Sequence, residues 1–369
     1  MMKYKIVSVL FALLIAGGFF LHIFLPDQSV SYEERRSLVQ FPSVSAPSVL
    51  DGRWMTQFDK YVADQFPGRE KLRTLKNGTE LFVFGKQDVS GIYEKDGGLY
   101  ANAAPSETAV AGFAKKLASL GAEMPENMSV YYAVIPDKST LIDAGIHPVY
   151  KTDDVYDAIS EAFCSSGKKA QPLHFEQLLS SEDFYKTDIH WRQERLWPVV
   201  AYLAEMMGFS GTADVEVVQR QFSRQSYAPF YGAYYGQYAL PVKPDTLDYL
   251  TGEMLDAVKV TDKTTGEVLS VYSTDRLGGI DSYDVFLNGA EACIELENDK
   301  SLSDKELILF RDSYGSALAP LLSPFYKKIT MIDLRYMPSS MIGDFVTYEN
   351  QDVLFLYSTM LANQSGLLK

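Results

Sequence analysis

A chain of 369 residues with 47% hydrophobic and 22% charged residues is globular, as one large domain or two modest ones; disorder, collagen-like repeats and a multi-span membrane protein are excluded. Acidic residues outnumber basic ones 48 to 34, so the net charge of −14 argues against a nucleic-acid partner, which needs clustered Lys and Arg. Two cysteines, Cys164 and Cys293, are too few for a structural zinc cluster or a disulfide scaffold, and leave either one disulfide or two free thiols.

Lys3 and Lys5 precede an apolar run over 6–25. At 1.5 Å per residue this run reaches roughly 30 Å, enough for a bilayer core and longer than a usual secretory h-region. No A-x-A cleavage site follows, only Pro26-Asp27-Gln28. The pattern favours an uncleaved signal anchor over a cleaved signal peptide, and the lysines favour residues 1–5 inside and the body outside. His22 lies in this run, at the interface, and is no candidate catalyst.

Residues 26–53 are polar and rich in Pro and Ser, which reads as a juxtamembrane tether. Trp54, Phe58, Tyr61, Val62 and Phe66 recur at helical spacing, and Pro67-Gly68 stops that helix. Residues 85–100 read as short strands and turns, closing an N-terminal region over 26–100. From 101 to 369 the pattern is α/β. Val110, Phe113, Leu117 and Leu120 mark a helix over 106–120, and 128–135 is an apolar strand ending at Pro136-Asp137-Lys138. Val155, Tyr156, Ile159 and Phe163 mark a second helix; Leu196, Val200, Leu203 and Met207 mark a third. The stretch 211–300 is rich in Val, Thr, Tyr and Gly and reads as a mostly β insertion. Strands at 306–310, 328–333 and 352–357 then alternate with helices near 315–325 and 338–346. This alternation predicts a parallel sheet with helices on both faces.

Four histidines are present. His147 precedes Pro148 in a loop, and His174 in Pro172-Leu173-His174-Phe175 reads as structural. His190 in Lys186-Thr187-Asp188-Ile189-His190-Trp191 is different. In an extended segment Asp188 and His190 face the same side, so the carboxylate orients one ring nitrogen and leaves the other as a base. The bland alternative is a capping Asp beside a surface His. A nucleophile is offered by Leu307-Ile308-Leu309-Phe310-Arg311-Asp312-Ser313-Tyr314-Gly315, an apolar strand running into a serine before a helix. Ser313 then sits at the ligand-binding edge of the sheet, with backbone N–H groups for an oxyanion nearby, or it is simply a helix cap. Tyr314 offers its N–H to the same oxyanion, or is simply a packing residue. Arg335 and Lys138 follow strands and reach the same edge, as substrate ligands or as structural ion-pair partners. Ser139 is a rival nucleophile without a partnered His. G-x-S-x-G, P-loop, GxGxxG and HExxH motifs are absent.

Eight short motifs occur in order along the chain: Glu34-Arg35-Arg36-Ser37-Leu38 with Phe41-Pro42; Asp64-Gln65-Phe66-Pro67-Gly68-Arg69; Gly85-Lys86 with Gly91-Ile92-Tyr93; Ile135-Pro136-Asp137-Lys138; Thr187-Asp188-Ile189-His190-Trp191; Pro244-Asp245-Thr246; Arg311-Asp312-Ser313-Tyr314-Gly315; and Asp333-Leu334-Arg335-Tyr336. Together they resemble the DHHW family of bacterial envelope proteins and the related SGNH-type proteins of alginate O-acetylation. The resemblance implies an SGNH-like, flavodoxin-like fold and a Ser-His-Asp triad of Ser313, His190 and Asp188 handling acetyl groups on a cell-surface polysaccharide. It implies no metal or nucleotide cofactor, and for a transferase it implies a membrane acyl donor of the MBOAT type as partner. The namesake motif reads Asp-Ile-His-Trp here. Arg192, Arg195 and Leu196 stand where the family has Thr and small residues, and Pro198 threatens to kink the following helix unless it falls in the first turn. Asn288-Gly289 is the candidate for the missing oxyanion Gly and Asn, or else a hairpin turn. The alternative function is a non-catalytic scaffold that holds polysaccharide within an envelope assembly.

Overall fold

The computed structural model describes residues 2–142, 151–211 and 214–369; His147 lies outside them. The chain forms two compact units, Met1–Ser90 with Tyr235–Pro241, and Gly91–Tyr234 with Val242–Lys369.

In the first unit, helix α1 (Met2–Phe24) is apolar on all sides, and its Tyr4–Phe24 stretch is long and apolar enough to cross a membrane. The Pro/Ser-rich segment after it is more ordered than a bare tether. Val30–Ser31 pairs with Arg36–Ser37, and Ser45 caps a short helix, Ala46–Leu50. Helices α2 (Arg53–Asp64) and α3 (Arg69–Phe82) follow, separated by Pro67-Gly68. Ion pairs explain the order. The Arg36 guanidinium meets Asp64 through two bonds of 2.8 and 2.6 Å, and Val39 N–H adds a third at 2.9 Å. The Arg36 bonds in particular hold the Asp64 carboxyl down at about 2. Glu34 accepts from Arg69 at 2.9 Å and lies 3.1 Å from Arg73, while Asn77 reaches the Tyr238 carbonyl at 2.8 Å. Glu34, Arg36, Asp64 and Arg69 of the first two sequence motifs are therefore structural. His22 faces the Gln65 carbonyl at 3.3 Å and the Tyr61 ring.

The second unit is built on an eight-stranded sheet. In chain order its strands are β1 (Val130–Ile135), β2 (Gln171–Leu173), β3 (Val258–Asp262), β4 (Val268–Leu269), β5 (Cys293–Asn298), β6 (Glu306–Arg311), β7 (Lys328–Ile332) and β8 (Asp352–Ser358). The spatial order is β4-β3-β5-β7-β6-β8-β1-β2. The strands β7, β6, β8, β1 and β2 run parallel. Strands β5, β3 and β4 extend that sheet in antiparallel fashion. The β-rich stretch thus supplies three strands to the main sheet and does not stand apart. A separate hairpin pairs Ser223–Phe230 with Asp245–Thr251.

The two-residue period sorts side chains to two cores. Leu307, Leu309, Leu354 and Leu356 pack with helices α6 (Trp197–Met206) and α7 (Tyr314–Leu322) on one face. Ile308, Phe310, Val353 and Phe355 pack with α4 (Glu107–Ala122) and α5 (Thr152–Ser166) on the other. Helices on both faces of a largely parallel sheet are the arrangement read from the sequence. Pro198 falls in the first turn of α6, where a missing N–H costs nothing, which is the case in which no kink is expected. The helix expected near 338–346 is a 3-10 segment, Ser339–Asp344, following Pro338. Cys164 is exposed and Cys293 buried, both as free thiols.

Candidate active site

The parallel strands end on one edge, and β6 delivers Ser313 to it. Asp312 fixes the turn. Its Oδ1 accepts from Tyr314 N–H at 3.1 Å, and its Oδ2 accepts from Ser358 N–H and Oγ–H at 2.8 and 2.7 Å, tying the end of β6 to β8. Ser313 occupies the N-cap position of α7, yet its side chain makes no capping bond. It is half-buried, and its Oγ lies 2.7 Å from His190 Nε2. His190 Nδ1 lies 2.5 Å from Asp188 Oδ1. Since a carboxylate only accepts, Nδ1 carries the proton and Nε2 is left as the acceptor facing Ser313. The structure thus joins Asp188, His190 and Ser313 in one hydrogen-bonded chain.

The segment carrying Asp188 and His190 is a bend, not the extended run expected. Phe184 and Trp191 bridge its ends, and Tyr185 N–H donates to the His190 carbonyl at 3.1 Å. Asp188 Oδ1 also accepts His190 N–H at 3.0 Å, an Asx-type turn that brings side chains two residues apart together. Asp188 Oδ2 accepts Ala233 N–H at 2.7 Å. Gly232 beside it leaves no room for a side chain, because an added Cβ would sit 2.2 Å from Asp188 Cβ. Below the bend, Asp245 accepts Lys186 N–H at 2.8 Å, Thr187 N–H at 2.7 Å and Thr187 Oγ1–H at 2.6 Å. Trp191 Nε1–H donates to the Tyr314 carbonyl at 3.0 Å, and Tyr314 Oη–H to the Ile189 carbonyl at 2.6 Å, locking the bend to the start of α7. The Tyr283 ring stacks on the imidazole at 3.8 Å and 8°. Asp188 is fully buried and His190 nearly so, which keeps competing water from the carboxylate–imidazole bond.

For three further residues the geometry favours the structural alternative. The Tyr314 N–H is occupied by Asp312, so it is not a free oxyanion donor. Arg335 turns back on Asp333 through Nε at 2.9 Å and Nη2 at 2.6 Å, and buried Arg311 approaches the same carboxylate at 3.4 Å; Arg335 therefore takes the structural option. Lys138 is buried, not presented to a substrate, and donates to the carbonyls of Tyr185, Lys186 and Asp188 at 2.6, 3.1 and 2.7 Å. Ser139 is the second residue of a turn capped by Asp137. Asn288 binds Glu291 at 2.8 Å and lies between a 3-10 turn and β5, so it is neither an oxyanion donor nor a hairpin tip. His174 packs against the Tyr156 ring at a tilt of 34°. Arg192 pairs with Glu194 at 2.8 Å, and Leu196 is buried. Tyr283, Gly232 and Ser358 were not singled out by sequence. Asp245 was marked only by its Pro-Asp-Thr motif.

The sheet order and its helices on both faces define an SGNH-like α/β fold. No family model and no curated protein matches the chain in sequence. Solved structures do share its fold. A DHHW family protein from Eubacterium siraeum superposes with a TM-score of 0.61 at 17% identity, over 76% of this chain and 94% of that one. Bacillus cereus PatB1 gives a TM-score of 0.53 at 18% identity, over 73% and 96% of the two chains. PatB1 has also been solved with a sulfonyl adduct, and that form gives 0.51 at 19% identity over 72% and 93%. The resemblance seen in the short motifs therefore extends to the fold.

Proposed function

We propose that the chain is an O-acetyltransferase or acetylesterase of a cell-surface polysaccharide, working through an acyl-enzyme on Ser313. The observation that carries this is the 2.7 Å contact between Ser313 Oγ and His190 Nε2, backed by the 2.5 Å contact of Nδ1 with Asp188. In this scheme Ser313 Oγ attacks the carbonyl carbon of an acetyl ester, and its proton passes to Nε2. Asp188 holds the tautomer and stabilises the imidazolium. The Ser313 N–H, at the start of α7, faces the developing oxyanion with the positive end of the helix behind it. His190 returns the proton to the leaving alkoxide. A sugar hydroxyl or water, deprotonated by the same nitrogen, then releases the acetyl group.

The fold neighbour that carries a sulfonyl adduct supports a reactive nucleophile on this fold. The motif resemblance supports the acetyl group, the polysaccharide and an MBOAT-type membrane partner. The Tyr4–Phe24 helix supports a membrane span, the lack of an A-x-A site after it supports an uncleaved anchor, and Lys3 and Lys5 support a body outside. Turnover of an acetyl ester by the full-length chain in detergent, lost in Ser313→Ala, tests the chemistry. Protease added to spheroplasts tests the topology: digestion of the body is expected, and full protection contradicts an outward-facing body.

A further inference from the structure

We propose that Lys138 is a positioning residue for the proposed reaction: its buried ammonium clamps the bend that carries Asp188 and His190, and so sets the geometry of the imidazole against Ser313. This rests on the acyl-enzyme reading above. An ammonium has three N–H donors, and three carbonyls of the bend, on Tyr185, Lys186 and Asp188, receive them. Lys138 starts the turn after β1, so the clamp ties the bend to the same strand edge that carries Ser313. The surroundings are built around the charge. Tyr100 and Tyr234 place their rings about the ammonium, with centroids 5.2 and 5.0 Å from Nζ. Leu99 N–H donates to the Lys186 carbonyl at 2.8 Å, and Tyr234 N–H to the Thr187 carbonyl at 3.1 Å, so both ring-bearing segments also grip the bend.

The titratable groups acting on the amine are Asp188, Asp137 and Asp245, which favour its charge. Burial outweighs them and pushes the Lys138 amine down to about 8. A neutral amine keeps two N–H donors for three carbonyls, so the clamp loosens as pH rises through that value. The sign for stability is opposite. The folded-state value lies below the ordinary 10.5, so between about 8 and 10.5 the unfolded chain binds more protons, and this group makes folding more favourable as pH rises. A purely structural lysine would make rate follow stability; a positioning lysine separates the two.

Lys138→Met keeps the length and removes the donors; Lys138→Arg keeps a charge that does not titrate in this range. In the full-length chain, Lys138→Met is expected to lower kcat and the rate of phosphonate labelling at Ser313 by about 10- to 100-fold, with KM within about twofold. The proton NMR resonance of His190 Nδ1–H, assigned by its loss in Asp188→Asn, should shift upfield or broaden. A folded Lys138→Met with wild-type rate and an unmoved resonance overturns the proposal. If that variant does not fold, wild type and Lys138→Arg decide. A fall in labelling rate above about pH 8 in wild type alone supports the clamp, and the same fall in both overturns it. A wild type that is neither labelled nor active defeats the acyl-enzyme reading, while the resonance still reports whether Lys138 holds the imidazole.

Discussion

The two halves of the site are held by different means. Ser313 is placed mainly by regular structure: β6 lies between β7 and β8 in the ladders of the central sheet, and Asp312 fixes the turn beyond the strand. His190 lies on an irregular bend, held by Asp245, Lys138, Ala233 and Tyr314 from four distant parts of the second unit. A strand end tolerates sequence change as long as its apolar pattern persists. A bend held by single polar contacts does not, because each lost partner leaves a buried group unpaired. The base side of the site should therefore be the fragile one.

The largest expected effect joins the two halves. Ser313→Ala and His190→Ala should each remove about 10³-fold or more of acetyl-ester turnover, and the double variant should lose little beyond either. Additive losses in steady-state kinetics would mean that the two residues do not act as a unit. Asp245→Ala comes next. It leaves three donors of the bend unpaired and should cost about 2–4 kcal/mol of stability, read by denaturant titration, along with most of the activity. An unchanged midpoint would show that the bend is held elsewhere. Gly232→Ala pushes a methyl group into Asp188 and should cost about 1–3 kcal/mol as an overpacked contact. Its kcat should fall about 100-fold, because the carboxylate must move. Arg335→Ala should be the mildest. Arg311 still faces Asp333, so turnover of a small acetyl ester should stay within about threefold of wild type while stability drops by about 1 kcal/mol. A large loss of turnover there would return Arg335 to the substrate.

The same contrast governs what the sequence discloses. The stripe Val110, Phe113, Leu117 and Leu120 and the run into Ser313 report local periodicity, and both became the elements they predict. The strands β3, β4 and β5 looked like an insertion because their link to the parallel sheet is the antiparallel pairing of β5 with β7, with β3 added on β5 and β4 on β3, which local periodicity does not report. Asp188 and His190 were legible from a spacing of two, although the geometry that unites them is a turn. Gly232 and Tyr283 left no local signal: one matters for the space it leaves, the other for a ring stacked on a residue far away in sequence. Lys138 and Arg335 were visible as charges at the strand edge. Sequence alone left open whether they would face inward or outward; burial decided it for Lys138 and the ion pair with Asp333 for Arg335.

The central claim is that Ser313 is a nucleophile activated by His190. Labelling the full-length chain with a serine-directed phosphonate, and mapping the adduct by mass spectrometry, tests it most directly. A single adduct on Ser313 is expected in wild type, formed at least about 100-fold more slowly in His190→Ala. No adduct on a folded wild type, or equal labelling of the two proteins, would contradict the account.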